Sequence, residues 1–81
     1  MAQRYDYADV DAYVRLNSAD LPIDQLDAYV GYWVMGQSLA FIADIEGLTH
    51  DAVDRRVCRL RKRVKRWIAS GRPGSRLAAR A

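Results

Sequence analysis

The feature that most constrains this chain is a series of apolar residues, three or four positions apart, near its C-terminal end. The series consists of Val53, Val57, Leu60, Val64, Trp67 and Ile68. At roughly 100° per residue these side chains share one stripe about 100° wide, which is the pattern of a helix with one buried face. Thr49 can cap the first turn, Asp51 suits the positive end of the helix dipole, and no glycine or proline intervenes before Gly71. The sequence therefore predicts one long helix over residues 49–68.

Two shorter helices are predicted in the first half of the chain, and no strand. Residues 5–16 place apolar side chains at mixed spacings of three and four, and Asn17 and Ser18 interrupt that pattern. A second helix begins at Pro22, where a first-turn proline is tolerated, and stops at Gly36. Its apolar face is predicted to consist of Ile23, Leu26, Tyr29 or Val30, Trp33 and Val34.

A third helix and a tight turn precede the long helix. Ser38 can cap the segment 39–46, and Gly47 follows it where a left-handed residue ends a helix. The small side chain of Ala43 suits a close approach of two helices, and Leu48 can fill the turn between them. A short helix, a glycine turn and a longer helix make a helix-turn-helix. The expected fold is all-α, a small helical domain of about four helices that contains this helix-turn-helix with a long C-terminal recognition helix.

Charge is distributed unevenly along the 81 residues. Residues 1–48 carry eight acids against two bases, a net charge of −6, whereas residues 49–81 carry eleven bases against two acids, a net charge of +9. Four bases fall together opposite the apolar stripe of the long helix: Arg55, Arg59, Lys62 and Arg66. A solvated helix face normally mixes both signs, and neighbouring like charges repel by a few tenths of a kcal/mol per pair. A face of one sign therefore favours an anionic partner that offsets this repulsion.

The residue types available disfavour several classes of site. His50 is the single histidine and Cys58 the single cysteine, so one chain assembles neither a disulfide nor a Cys/His zinc site. No carboxylates have a metal-binding spacing and no nucleophile stands beside His50, so we expect no metal, no cofactor, no small-molecule substrate and no enzymatic activity. Cys58 lies next to the apolar stripe and is expected to be partly buried. The weakly charged stretch 28–43 is too short and too interrupted to span a bilayer.

Three motifs stand out from Leu21 onward: "LP" at Leu21 and Pro22, "GQSLAFIADIEGLT" from Gly36 to Thr49, and "V..RV.R.RKR" from Val53 to Arg63. Together these motifs span more than half of the chain. In them the chain resembles the C-terminal helix-turn-helix DNA-binding module of bacterial sigma factors, known as sigma region 4. Related modules occur in response-regulator and quorum-sensing activators. The twenty residues before Leu21 are too few for the polymerase-holding domain of a sigma factor, so we expect a module that stands alone, of the kind that phages or mobile elements encode.

The resemblance implies a small sequence-specific DNA-binding regulator of transcription, in the cytoplasm of a bacterial or phage-infected cell. Its long helix would enter the major groove of double-stranded DNA, where arginine binds guanine and aspartate accepts from cytosine N4. The predicted base-reading residues are His50, Asp51, Asp54, Arg55 and Arg59. The predicted phosphate contacts are Ser38, Thr49, Arg56, Arg61, Lys62, Arg63, Lys65 and Arg66, the first two through the backbone amides of helix starts.

Two other interpretations stay open. In the first, the sigma-like module binds RNA polymerase or another regulator instead of DNA. Asp51 and Asp54 favour it, because the family often has a small residue at the first position and a basic one at the second. In the other interpretation, a basic amphipathic helix lies on an anionic membrane, which the regular helix-turn-helix pattern disfavours.

Three segments are expected. Residues 1–20 would form an N-terminal helix for a dimer or partner contact, residues 21–70 the helix-turn-helix domain, and residues 71–81 a flexible basic tail. A homodimer is expected because a single module buries little DNA surface. Its contact is predicted at residues 5–16 or near Trp67.

Overall fold

Helices account for most of the structure. The computed structural model describes residues 4–74, and in that range the chain forms no strand. The helices are α1 (Tyr7–Asn17), α2 (Ile23–Ala28), α3 (Leu39–Glu46) and α4 (His50–Ala69). A 3₁₀ turn, Ser18–Asp20, follows α1, and a π-helical segment, Tyr29–Val34, continues α2 and is called the π segment below. The predicted small all-α fold is confirmed.

The main hydrophobic core lies between α1, α4 and the stretch from Leu21 through the π segment. Its buried members are Val10, Val14, Leu21, Ala28, Trp33, Val57, Leu60 and Val64. Trp67 is also buried, and its ring meets that of Tyr13 edge-on with 5.5 Å between centroids. The apolar stripe predicted for the long helix is therefore buried as expected, with Ile68 partly covered at its end.

Helix α1 is an integral part of this core. Val10 is 0% exposed, and complete burial of a valine side chain contributes about 1.5–3 kcal/mol. The Tyr29 hydroxyl donates to the Asp11 carboxylate, which ties α1 to the π segment. Residues 7–17, expected within a separate N-terminal contact segment, thus share one core with the helix-turn-helix.

The predicted apolar face of the second helix is wrong in part. Ile23 is 76% exposed, and Val30 and Val34 are each about half exposed. The buried positions are Leu21, Gln25, Ala28 and Trp33; of these, Trp33 belongs to the predicted face, whose Leu26 and Tyr29 are partly buried. Gln25 and Ala28 keep α-helical spacing within α2, but Trp33 comes five positions after Ala28. The wider π turn, in which the Met35 amide donates to the Val30 carbonyl at 2.8 Å, accommodates this spacing and turns the valines outward.

The first residues of the expected flexible tail fold back onto the helices. Arg72 Nη1 donates to Asp9 Oδ1 at 2.6 Å, and Trp67 Nε1 donates to the Pro73 carbonyl at 3.0 Å. Residues 71–74 therefore close over the end of α4 and reach α1. The rest of the expected tail, residues 75–81, lies outside the described residues.

Candidate nucleic-acid interface

Two capped helix starts fix the positions of α3 and α4. Ser38 Oγ accepts from the Phe41 amide at 3.0 Å, and Thr49 Oγ1 accepts from the Ala52 amide at 3.1 Å. Each cap contributes about 1 kcal/mol. Between the helices, Gly47 has φ +67°, the left-handed conformation that favours glycine. The caps and the turn predicted from the sequence are all confirmed.

A second, smaller core holds α3 against the start of α4. Its buried members are Ile42, Ala43 and Val53, with Leu39, Leu48 and Tyr32 packed against them. The Leu48 amide donates to the Ala43 carbonyl at 2.9 Å, so the turn closes over the small residue predicted to allow close approach. Because Val53 faces this core, the opposite side of the first turns of α4 faces solvent.

Four bases occupy that solvent side of α4, and we call them the basic stripe: Arg55, Arg59, Lys62 and Arg66. All four are exposed, as predicted. Within residues 4–74, no carboxylate lies within 4.0 Å of any of them, since the ion pairs seen there engage Arg15, Arg56, Arg61 and Arg72. The stripe is thus a line of positive charge on one helix, without an ion-pair partner among the described residues.

Two carboxylates and a thiol lie beside the stripe. Asp51 and Asp54 are exposed in the first two turns of α4, and no cation among the described residues pairs with either at 4.0 Å or less. Cys58 is exposed as well, with its Sγ 3.8 Å from Asp54 Oδ1. Our expectation that Cys58 is partly buried is wrong, because one residue after Val57 the helix has turned by about 100° and left the apolar stripe.

Arg61, predicted to contact phosphate, faces the N-terminal segment instead. Its Nε donates to Asp6 Oδ2 at 2.7 Å, and its guanidinium lies 5.3 Å from the ring centroid of Trp33. Trp33 Nε1 donates to the other carboxylate oxygen, Asp6 Oδ1, at 2.9 Å. The Asp6 carboxylate therefore joins α4 to the π segment. No local pattern reveals this contact, since the two charged residues are 55 positions apart.

Both groups have shifted pKa values. The hydrogen bond to Asp6 raises the pKa of Arg61 above its ordinary value. Burial alone would raise the pKa of Asp6, but the hydrogen bonds from Arg61 and Trp33 outweigh burial and hold that pKa below 3.8. Asp6 and Arg61 are therefore both charged at neutral pH, and the contact is an ion pair.

The other predicted phosphate contacts lie in different settings. Arg56 is half-buried, with its Nη1 3.4 Å from Glu46 Oε1 across the helix-turn-helix. Arg63 lines a shallow pocket with Tyr13 and Trp67, on one flank of α4. Lys65 is exposed on the other flank. Of these three residues, Lys65 alone is exposed. No carboxylate in the described region lies within 4.0 Å of it.

One acid at the edge of the stripe is not among the site residues predicted from the sequence. Asp24, in the first turn of α2, lines a small cleft together with Arg55, Arg56 and Arg59. Its Oδ1 is buried and accepts no hydrogen bond from the residues described. The periodicity of α2 gives no indication of this neighbour. Asp24 lowers the positive potential near Arg55 and Arg59 and leaves it higher toward Lys62 and Arg66.

Residues 4–74 contain neither a cluster of metal ligands nor a helix suited to crossing a membrane. No three side chains of the His, Cys, Asp and Glu types come together there in a way that could hold a metal ion. None of the helices there combines the length and the apolar character needed to cross a membrane. Comparison of the chain with protein-family models, with curated proteins and with solved structures gives no match.

Proposed function

We propose that this protein is a small sequence-specific DNA-binding regulator of transcription that places α4 in the major groove. The observation that carries the proposal is the basic stripe, which is exposed over three turns of one helix and has no carboxylate partner in residues 4–74. A phosphate backbone neutralises such a line of charge and releases its own counterions. The capped turn supports the proposal, because it holds the start of α4 in a fixed orientation.

Within this proposal the first turns of α4 approach base edges. His50, Asp51, Asp54, Arg55 and Arg59 are exposed there and are the proposed base-reading residues. Lys62, Arg63, Lys65 and Arg66 follow as phosphate contacts, with the amides at the starts of α3 and α4. Arg56 and Arg61 leave the set, because they bind Glu46 and Asp6. Each phosphate contact adds about 0.9 to the slope of log affinity against log salt.

Selection of bound sequences from a random DNA pool tests the proposal. The unaltered chain should enrich one motif, and Arg55→Ala or Arg59→Ala should change that motif and weaken binding by about tenfold or more, since a bidentate contact to guanine is worth about 1–3 kcal/mol. Arg15→Ala is the matched control, because Arg15 is also an exposed arginine but lies on α1. Salt-sensitive binding without any enriched motif would exclude sequence-specific recognition.

A second candidate function is a sigma-like module that binds RNA polymerase or another regulator rather than DNA. Asp51 and Asp54 favour it, because exposed carboxylates in the first turns of α4 repel phosphate. Pull-down of purified RNA polymerase by the unaltered chain, lost on combining Asp51→Asn with Asp54→Asn, would support this function. The DNA proposal expects the same double variant to keep DNA binding and to relax the base preference.

Homodimerisation stays a prediction. Trp67 and the α1 valines, near the expected contacts, are buried within one chain, which leaves Tyr5 and Leu16 as exposed apolar residues of the N-terminal part. Sedimentation equilibrium of the chain, alone and with a selected DNA site, distinguishes a monomer from a dimer.

A further inference from the structure

Large apolar side chains are exposed on the face formed by α2, the π segment and α3. Val30, Met35 and Ile45 line a shallow groove of about 440 Å³ on this face. Their exposed fractions are 49%, 59% and 61%. Val34 lies about one turn after Val30, Phe41 lies one turn before Ile45, and both are about half exposed. We call the surface lined by Val30, Met35 and Ile45 the apolar groove. A contiguous exposed apolar patch on a small protein marks an interaction site more often than scattered single residues do.

The fold explains why these residues are not in a core. On α3, Ile42 and Ala43 face α4, so Phe41 and Ile45 lie on the side away from it. On the π segment, Trp33 takes the buried position, which turns Val30 outward. These outward-facing side chains therefore belong to neither hydrophobic core of the described chain and stay exposed.

The charged residues that line the groove are acidic. Asp27 and Glu46 line it, no Lys or Arg of the described part of the chain does, and Asp44 is exposed on α3 beside Ile45. Glu46 is engaged with Arg56 at 3.4 Å, whereas no cation in residues 4–74 pairs with Asp27 or Asp44 at 4.0 Å or less. An apolar surface with a negative rim is complementary to an apolar segment that carries positive charge at its edges.

A second copy of this chain fits the groove poorly. A symmetric pair with Asp27 or Asp44 near its two-fold axis would bring that acid close to its own counterpart, which repels it. A head-to-tail pair would bring the basic stripe to the groove, but the exposed side of α4 offers no large apolar side chain to fill it. The acids that line the groove therefore favour a different, basic protein segment over a second copy.

We propose that the apolar groove binds a helical segment of a partner protein with a stripe of large apolar residues flanked by Lys or Arg. Helices of this kind insert residues at spacings of three and four into such grooves. No residue of α4 lines the groove, so a ligand on the basic stripe leaves it open. The inference holds whether or not the basic stripe binds DNA.

Two synthetic peptides test this proposal. One is a two-heptad helix with the repeat Leu-Lys-Lys-Leu-Leu-Lys-Leu, and the other has Glu in place of every Lys. Each is titrated into the full, ¹⁵N-labelled chain at physiological ionic strength while amide shifts are followed. We expect the lysine peptide to bind at least about tenfold more tightly than the glutamate peptide, and to shift the amides of Val30, Met35 and Ile45.

Variants locate the binding surface. Ile45→Ser should weaken the lysine peptide by about tenfold, because an apolar contact is lost from an exposed position that the fold does not need. Asp27→Lys should weaken it by about fivefold. Asp20→Lys is the matched control, since Asp20 is an exposed acid outside the groove and should leave the affinity unchanged. Circular dichroism of each variant verifies the fold.

Three results would overturn the proposal. The first is equal affinity for the two peptides, and the second is a set of shifts that avoids the groove. The third is self-association of the chain that protects Ile45 in the absence of peptide, which would make a second copy the occupant. DNA binding, measured separately on the same variants, should not change, so the two proposals fail independently.

Discussion

Replacing Asp6 with asparagine should destabilise the fold by about 2 kcal/mol. The Asp6 carboxylate accepts from Arg61 Nε at 2.7 Å and from Trp33 Nε1 at 2.9 Å. The Asp6 and Arg61 side chains are 14% and 24% exposed. Breaking a fully buried ion pair costs about 3–5 kcal/mol, and breaking an exposed one costs about 0–1 kcal/mol. This mostly covered pair lies between those limits.

Urea and thermal unfolding, followed by circular dichroism, measure the effect. For a domain of this size, 1 kcal/mol corresponds to about 4–8 °C, so Asp6→Asn should lower the melting temperature by about 8–16 °C. Asp9→Asn is the control. Its ion pair with Arg72 has side chains 42% and 32% exposed, and its loss should cost no more than about 1 kcal/mol.

The pH dependence gives an independent test. The folded-state pKa of Asp6 lies below its ordinary value of 3.8, so the unfolded chain takes up the proton first as the pH falls. The stabilisation by Asp6 is therefore fully present well above pH 3.8 and is lost as the pH falls through the folded-state pKa. The stability difference between the unaltered chain and Asp6→Asn should be constant near neutrality and should shrink in acid.

Arg61→Met separates structure from DNA contact. It should lower the free energy of unfolding, yet leave the salt dependence of DNA binding unchanged, whereas loss of a phosphate contact would reduce the slope by about 0.9. The reasoning would be refuted if Asp6→Asn unfolds within about 0.5 kcal/mol of the unaltered chain. It would also be refuted if Arg61→Met flattens the salt dependence without loss of stability.

Three further predictions concern the turn and the exposed face of α4. Thr49→Ala should cost about 1 kcal/mol in urea unfolding because the cap on the Ala52 amide is lost, and Thr49→Ser should restore most of it; equal stability of all three chains would argue against the cap. Gly47→Ala should cost about 1–2 kcal/mol from backbone strain at φ +67° alone, since no atom lies within 4 Å of an added Cβ; an unchanged melting temperature would contradict this. Cys58 is exposed, so it should react with a thiol reagent in the folded chain as fast as in urea. A selected DNA site should slow that reaction. If saturation with that DNA leaves the rate unchanged, DNA does not cover this side of α4.

Local periodicity and capping made much of this fold predictable. The spacing from Val53 to Trp67 identifies the buried face of α4, because a regular helix turns by a constant angle. Ser38, Gly47 and Thr49 mark the helix ends, because each contributes a hydrogen bond or a conformation that the end requires. All of these features depend on neighbours within a few positions.

The rest depends on departures from regularity and on distant partners. Trp33 is buried five positions after Ala28, and no rule based on 3.6 residues per turn anticipates the π turn that allows this. The exposure of Val30, and with it the apolar groove, follows from the same turn. Arg61 differs from its neighbours on α4 through Asp6, whose distance along the chain hides the contact from any local pattern.

The packing of α1 against α4 also has a consequence for the order in which the core is completed during synthesis. Val10 and Val14 share a core with Val57, Leu60 and Val64, so α1 is synthesised before the residues that cover it. Until α4 follows, the nascent chain has an apolar helix face without cover and an Asp6 without its counter-charge. The synthesis of α4 then adds the core residues Val57, Leu60 and Val64 and, on the same helix, the whole basic stripe. A chain that ends before α4 lacks the α4 residues of both hydrophobic cores and lacks the basic stripe.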